Sequence, residues 1–158
     1  MLGRSAGQTM PPAIYLVIDS KKDGLLGMVS LQNISWRNRS CNLDVYVGSK
    51  EKRSGIVAAL SVFRALEFAF DELNLHRINA FIYAFNRPSW RIFEKAGAVR
   101  EMTLEKHVMR DGELYDAYGY GLLKPDFDAM RQRHAHAAAD ISLNAMIESL
   151  AQDGDTTP

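Results

Sequence analysis

The chain has 158 residues, 47% of them hydrophobic and 24% charged, enough for one domain with a real core and too short for two of ordinary size. That balance excludes collagen-like, disordered and disulfide-scaffold classes. Lysine plus arginine equals aspartate plus glutamate at 19 each, so no general electrostatic attraction to nucleic acid or to an anionic membrane is expected. The zero sum has unlike parts. Residues 1–124 carry 17 basic and 13 acidic side chains, whereas residues 125–158 carry two and six, an acidic tail on a mildly basic body. Cys41 is the single cysteine; it excludes an intrachain disulfide and makes a reducing, cytoplasmic setting the expectation. The longest apolar run near the start, Ala13–Ile18, is far shorter than a signal-peptide core or a membrane span.

Residues 1–12 contain Gly, Ser and Pro and read as a loose lead-in. Ala13–Ile18 is β-favouring, and the Lys21-Lys22-Asp23-Gly24 cluster turns it into a second strand, Leu25–Ile34. A polar connection at Asn38-Arg39-Ser40 leads to a third short strand, Leu43–Val47. The period then changes. Ile56, Ala59, Leu60, Phe63, Leu66, Ala69, Phe70 and Leu73 recur every three or four residues, the mark of an amphipathic helix. Arg77–Phe85 is the next strand. Asn86 caps a short helix with Pro88 in its first turn, and Gly97 terminates it. Val99–Met109 and Leu114–Leu123 are two further strands, joined by a turn whose Asp111-Gly112 pair signals a hairpin. Pro125 stops the last strand, and a helix follows from Asp126 to about Gln152 with Phe127, Met130, His134, Ala138, Ile141 and Ala145 on one stripe. The order is that of a mixed α/β domain, in which the helix between Val47 and Arg77 makes those two strands parallel.

Two segments carry chemistry. Ser49-Lys50-Glu51-Lys52-Arg53-Ser54-Gly55-Ile56 joins a strand to a helix N-terminus and is rich in small and basic residues, an arrangement suited to phosphate but, taken alone, commoner as a solvated loop with a cap. Asn86-Arg87-Pro88-Ser89, with Arg91 and Lys95 beyond it, opens a second helix beside the first. Two such ends would make a cleft for a phosphorylated cofactor, against the simpler reading of Asn86 as an N-cap and Arg91 and Lys95 as a solvated face. Glu101, Glu105 and His107 fall on one face of a regularly alternating strand and are candidates for a general base, against the simpler reading of exposed strand residues. His134 and His136 would point to opposite sides of a helix, so no metal site is expected. Trp36 and Trp90 read as core or interface residues rather than a base-stacking platform.

The order of the basic loop and long helix, Leu75-His76-Arg77-Ile78, Asn86-x-x-Ser89-x-x-x-Phe93-Glu94-Lys95-x-Gly97, Arg100-Glu101 and Asp111 to Asp116 resembles the GNAT superfamily of N-acetyltransferases, and within it the RimJ/RimL-type branch. The resemblance covers about residues 13–124. It implies a mixed, mostly antiparallel sheet with a central splayed parallel pair, and acetyl transfer from acetyl-CoA, as co-substrate, to a primary amine. It implies cofactor pyrophosphate on Lys52, Arg53, Ser54, Gly55, Ile56 and Val57, and pantetheine along the strand that includes Val45, Tyr46 and Val47. Asn86 and Ser89 then lie beside pantetheine and the thioester sulfur, Ser89 as the partner of the departing thiolate, and Arg91 lies near cofactor phosphate. A thioester needs no metal for this reaction; it needs an oriented amine, a polarised carbonyl and a proton for the thiolate.

Three departures from the family pattern shape the expectations. Ser54 and Ile56 occupy glycine positions of the phosphate loop, with Gly55 between them; Phe93 stands where many members carry a proton-donating tyrosine; and the chain begins at about the family's second strand, so that about 50–60 residues of front wall are absent by usual domain sizes. The expected layout is a lead-in over 1–12, the acetyltransferase domain over 13–124, an added C-terminal helix over 125–152 and a tail over 153–158. The acidic helix, or a second subunit in a homodimer, would cover the open side. The acceptor is a small amine or a protein N-terminus, with no nucleic-acid or membrane partner. The alternative from a different class is a catalytically weak or inactive GNAT-like dimerisation or regulatory subunit.

Overall fold

The computed structural model describes residues 10–21, 23–48 and 55–137, the last four for their backbone only. Six strands and three helices follow one another as β1 (Ile14–Ser20), β2 (Gly24–Ser35), β3 (Ser40–Val47), α1 (Gly55–Glu67), β4 (Arg77–Tyr83), α2 (Arg87–Lys95), β5 (Val99–Arg110), β6 (Glu113–Leu123) and α3 (Lys124–Ala137). The strands form one sheet in the order β1-β2-β3-β4-β6-β5. Every pairing is antiparallel except β3 with β4, the consequence of the α1 crossover between them. The Asp-Gly signal is realised: Asp111 (φ 52°) and Gly112 (φ 82°) form a two-residue loop between Arg110 and Glu113, and positive φ at both positions matches the twist of the flanking strands.

Alternation along the strands separates two faces. Leu31, Leu43, Ile78 and Leu122 point inward from β2, β3, β4 and β6 and are buried with Leu66 and Phe70 of the α1 region and Phe93 of α2. The opposite face has no helix on it among the described residues. Tyr15, Val17, Met28, Tyr46, Phe81, Tyr83 and Met102 are exposed, with Tyr46 and Met28 register partners, as are Val17 and Met28.

Several boundaries differ from the sequence reading. β3 starts at Ser40 rather than Leu43, and β4 ends at Tyr83 rather than Phe85. The buried stripe of α1 includes Val62 and Ala65, and the helix ends in a π-helical turn, Phe68–Glu72, in which the Leu73 N–H donates to the Phe68 carbonyl at 3.0 Å. That turn carries Phe70 into the core. It leaves Asp71 facing Lys124 Nζ and Arg131 Nη1, each at 2.7 Å.

The C-terminal helix is not an appendage at its start, nor does its start cover the open face. Phe127 is fully buried, with ring centroids 5.3 Å from Phe70 and 6.1 Å from Phe63, and Met130 is buried beside the same core. Two members of the predicted stripe therefore pack on the α1 side of the sheet, away from the uncovered face. Its remaining members, and the side chains of His134 and His136, lie outside the described residues.

The fold pins one end of the parallel pair. Arg39, in the turn before β3, donates from Nε to the Asn74 carbonyl and from Nη2 to Asn74 Oδ1, both at 2.7 Å, while its own carbonyl accepts from the N–H groups of His76 and Arg77. These bonds hold the start of β4 against the start of β3. Pairing then runs only through Ser40–Arg77, Cys41–Ile78 and Asn42–Asn79. Beyond it β3 follows β2 as far as Val47, and β4 follows β6 as far as Tyr83. Two strands fixed at one end and drawn to different neighbours at the other must part.

Candidate active site

The parting opens a cleft of about 130 Å³ between β3 and β4, floored by Val62 of α1 and by Ile92 and Phe93 of α2, with Asn86 and Ser89 at one wall. From Leu43 to Tyr46 the edge of β3 that faces β4 has no strand partner among the described residues. Unpaired backbone donors and acceptors of this kind require a partner when they are covered, and an extended amide-bearing chain can supply one by adding as a strand. The outer mouth of the cleft meets a larger cavity of about 730 Å³ on the uncovered face, lined by Asn42, Asp44, Arg77, Asn79 and Glu101 among others.

Asn86 was expected as a helix cap, but its side chain makes no cap hydrogen bond. Its carbonyl starts α2 instead, accepting from Ser89 N–H at 3.1 Å. The Asn86 amide and the Ser89 hydroxyl have no partner among the described residues, and both line the cleft. The sequence reading thus places these two residues where the cleft is. Phe93 is buried and is also a cleft wall, so it presents a ring where many family members present a hydroxyl. Val45 lines the cleft from β3; Tyr46 and Val47 continue that strand, Tyr46 toward the uncovered face and Val47 into the core.

Of the predicted phosphate loop, Lys52, Arg53 and Ser54 lie outside the described residues. Gly55, Ile56 and Val57 form the first turn of α1. An added Cβ at Gly55 would meet nothing within 4 Å, so neither close approach nor positive φ requires glycine there. Arg91 is partly buried on α2 and has an interaction of its own.

Regular alternation does not hold along β5, because two register shifts interrupt it, between Arg100 and Met102 and between Leu104 and Val108. The three candidate bases are therefore not one row. Glu101 is bound to Arg77 through both carboxylate oxygens, Arg77 Nη1 lying 3.1 Å from Oε1 and Nη2 closing on Oε2. This guanidinium holds the Glu101 carboxyl below its ordinary pKa, which makes it a weak proton acceptor. Glu105 lies within the second shift, where Lys106 takes φ 49° and its N–H donates to Asp116 Oδ1 at 2.9 Å. Asp116 thus shapes the strand. His107 lies against Phe81, ring centroids 5.4 Å apart, and Phe81 lines both cavities.

Arg77 also donates from Nε to Asn79 Oδ1 at 2.7 Å, and Asn79 Nδ2 reaches the Cys41 carbonyl at 3.3 Å. This polar chain crosses the last rung before the strands part. Asp44 is the residue that sequence reasoning passed over: it lines both cavities and has no hydrogen-bond or ion-pair partner among the described residues. The signal was an acid within the apolar run Leu43-Asp44-Val45 on the strand already read as splayed. Cys41, by contrast, is buried, and burial pushes its thiol pKa up to about 12, so it stays protonated and inert. The indole N–H groups of Trp36 and Trp90 bond the carbonyls of Pro11 and Ala84, and both rings pack on the core. Among the described residues no three His, Cys, Asp or Glu side chains gather as a metal site, and no helix is long and apolar enough to cross a membrane.

A mostly antiparallel sheet with one parting parallel pair, and two helices meeting at the gap, is the scaffold of the N-acetyltransferase class. The model of the acetyltransferase (GNAT) domain matches residues 4–99, and the chain belongs to that family. It is 32% identical over 111 residues to the probable N-acetyltransferase YjcK of Bacillus subtilis (strain 168), covering 70% of this chain and 61% of that protein. It is 28% identical over 102 residues to the spermidine N(1)-acetyltransferase of Vibrio cholerae, covering 65% and 58%. It spans 63% of the uncharacterized N-acetyltransferase YokL of B. subtilis, at 25% identity, and in general less than two thirds of these relatives' length. Among solved structures, the V. cholerae spermidine N-acetyltransferase in complex with CoA and spermine matches with TM-score 0.66 at 24% identity, over 73% of this chain and 68% of that one.

Proposed function

We propose that the chain transfers an acetyl group from acetyl-CoA to a primary amine by direct attack on the thioester, as a RimJ/RimL-type member of its family. The observation that carries this reading is the end of β3–β4 pairing at Asn42–Asn79, which leaves a strand edge and a cleft beside the Asn86 and Ser89 side chains, unpartnered among the described residues. In this reading the edge formed by Val45, Tyr46 and Val47 holds the pantetheine arm. The Lys52–Val57 segment, with Arg91, meets the phosphates, and the positive end of the α1 dipole adds to that attraction. Ser89 donates its hydroxyl proton in a hydrogen bond to the sulfur that leaves, and a β3 backbone N–H polarises the carbonyl. His107 is the best placed of the three base candidates, since Glu101 is engaged by Arg77.

The acceptor enters from the uncovered face through the larger cavity. A small aliphatic amine of the spermidine type is the favoured acceptor, supported by the named activity of a relative and by the Asp44 carboxylate in that cavity. A protein N-terminus is the other amine of suitable chemistry. The reading also has the chain working in the cytoplasm as a homodimer, the second copy covering the exposed apolar side chains of the open face.

The test is acetyl-CoA-dependent acetylation by the purified full chain, with spermidine first in a panel of primary amines, followed by thiol release and by mass spectrometry of the product. Monoacetylated amine with stoichiometric thiol is the expected result. No product with any amine, together with no thermal stabilisation by millimolar acetyl-CoA, contradicts the reading and leaves a GNAT-fold subunit without the activity.

A further inference from the structure

The two cavities share three residues: Asp44, Ala80 and Phe81. The two cavities adjoin at these residues. Their positions follow from the register. Asn42 and Asn79 are the last parallel pair, and Asp44 and Phe81 are the next residues of β3 and β4 on the same face. A two-residue step along each strand is about 7 Å, so both stand just beyond the point of parting, a carboxylate on one side and an aromatic ring on the other. That combination recognises an ammonium group, by charge and by the ring's quadrupole.

We propose that Asp44 binds the acceptor's ammonium at the junction of the two cavities and takes the proton that must leave before the amine can attack. This inference rests on the acetyltransferase reading and names a group for a step which that reading leaves to His107. Asp44 differs from the other acids around it in having nothing to neutralise it among the described residues. Glu101 is held by Arg77, Glu94 accepts from the Tyr120 hydroxyl at 2.9 Å, Glu113 accepts from the Tyr115 hydroxyl at 2.7 Å, and Asp116 accepts from Lys106 N–H. On β2 its register partner is Ser30. The charged and titratable groups lining its two cavities are Arg77, Glu101, Tyr83 and Tyr120, and His107 lies behind Phe81. Arg77 is committed to Glu101. Burial raises the Asp44 pKa above the ordinary carboxylate value, which strengthens it as a proton acceptor.

The step balances. The ammonium gives one proton to the Asp44 carboxylate; the neutral nitrogen attacks the thioester carbonyl carbon, a C–N bond forms and the C–S bond breaks with its electron pair on sulfur. The second proton lost by nitrogen ends on that sulfur as the thiol, and Asp44 returns the first to solvent.

The experiment compares Asp44→Asn with wild type on two acceptors: spermidine, cationic at pH 7, and 4-methoxyaniline, whose amine is neutral there and needs no prior deprotonation. Loss of one general base costs about 100-fold or more, so kcat/KM for spermidine should fall by at least that factor, while the arylamine rate changes by less than about 3-fold. The wild-type rate with spermidine should fall at acid pH as Asp44 protonates, and the variant should lack that limb. Equal losses with both acceptors, or an unchanged rate and pH profile with spermidine, overturn the assignment to Asp44 and leave the acetyltransferase reading standing. A wild-type chain that acetylates neither amine overturns both.

Discussion

Replacing Phe127 with alanine tests whether α3 belongs to the domain or is attached to it. The ring is fully buried, stacked obliquely on Phe70 at 5.3 Å and Phe63 at 6.1 Å, with the Arg131 guanidinium 4.8 Å from its centroid. Deleting a buried phenyl ring costs about 3–5 kcal/mol, from lost transfer energy and the cavity left behind. Full burial against two other rings puts this site in the upper part of that range. Domains of this size are stable by about 5–15 kcal/mol, so the variant should lose about a quarter or more of its stability. Urea unfolding followed by circular dichroism measures the change, with an unaltered slope showing that the unfolded state is the same. A double-mutant cycle with Phe70→Ala should return a coupling of about 0.5–1.5 kcal/mol, the aromatic pair's share. A loss under about 1 kcal/mol would refute the packing described, because an appended helix contributes little to the body's unfolding.

Ser89→Ala should lower kcat at least 10-fold with acetyl-CoA affinity nearly unchanged, measured by steady-state kinetics beside calorimetric titration, since the hydroxyl acts on the sulfur as it leaves. Asp71→Asn should cost about 1 kcal/mol at neutral pH by removing a partly exposed pair of contacts to Lys124 and Arg131. Those cations hold the Asp71 pKa down to about 2, below its ordinary 3.8. Its contribution is therefore full above 3.8 and lost as pH falls toward 2, and the stability difference between wild type and variant should close over that window in acid denaturation. Gly27→Ala should destabilise by about 1–3 kcal/mol, because the new Cβ would collide with the Tyr46 carbonyl and lie 2.9 Å from Val47 Cα; Gly55→Ala, with open space around it, should not, and thermal unfolding of the two variants separates them.

The strand and helix order was legible because each element announces its period: alternation in β2, three-and-four spacing in α1, and Asp111-Gly112 between two apolar runs. The parallel pair followed from a lone helix between two strands. What the sequence could not carry was register. Glu101, Glu105 and His107 share a face only if β5 alternates without interruption, and its two shifts depend on partners such as the Asp116 carboxylate bonding the Lys106 N–H. The place where β3 and β4 part depends likewise on Arg39 and Asn79 closing contacts across 35 and 38 residues. Asn86 and Ser89 were findable because a helix start in that order is a family feature. Asp44 was marked only as an acid within an apolar run, and its meaning comes from standing one outward step past the last paired rung. The side of the sheet taken by α3 was equally hidden: an apolar stripe fixes which face of a helix is buried and not what buries it.

The account stands on the β3–β4 cleft as the acetyl-CoA site, and Ala80→Leu probes it most directly. Ala80 lines the cleft and is 5% exposed, so a larger side chain there occupies the space required by the pantetheine arm. Differential scanning fluorimetry with acetyl-CoA should show a rising melting temperature for wild type, corresponding to about 2.7 kcal/mol at a hundredfold excess over Kd, and no rise for a folded Ala80→Leu chain. Equal stabilisation of both proteins would contradict the cleft as the site.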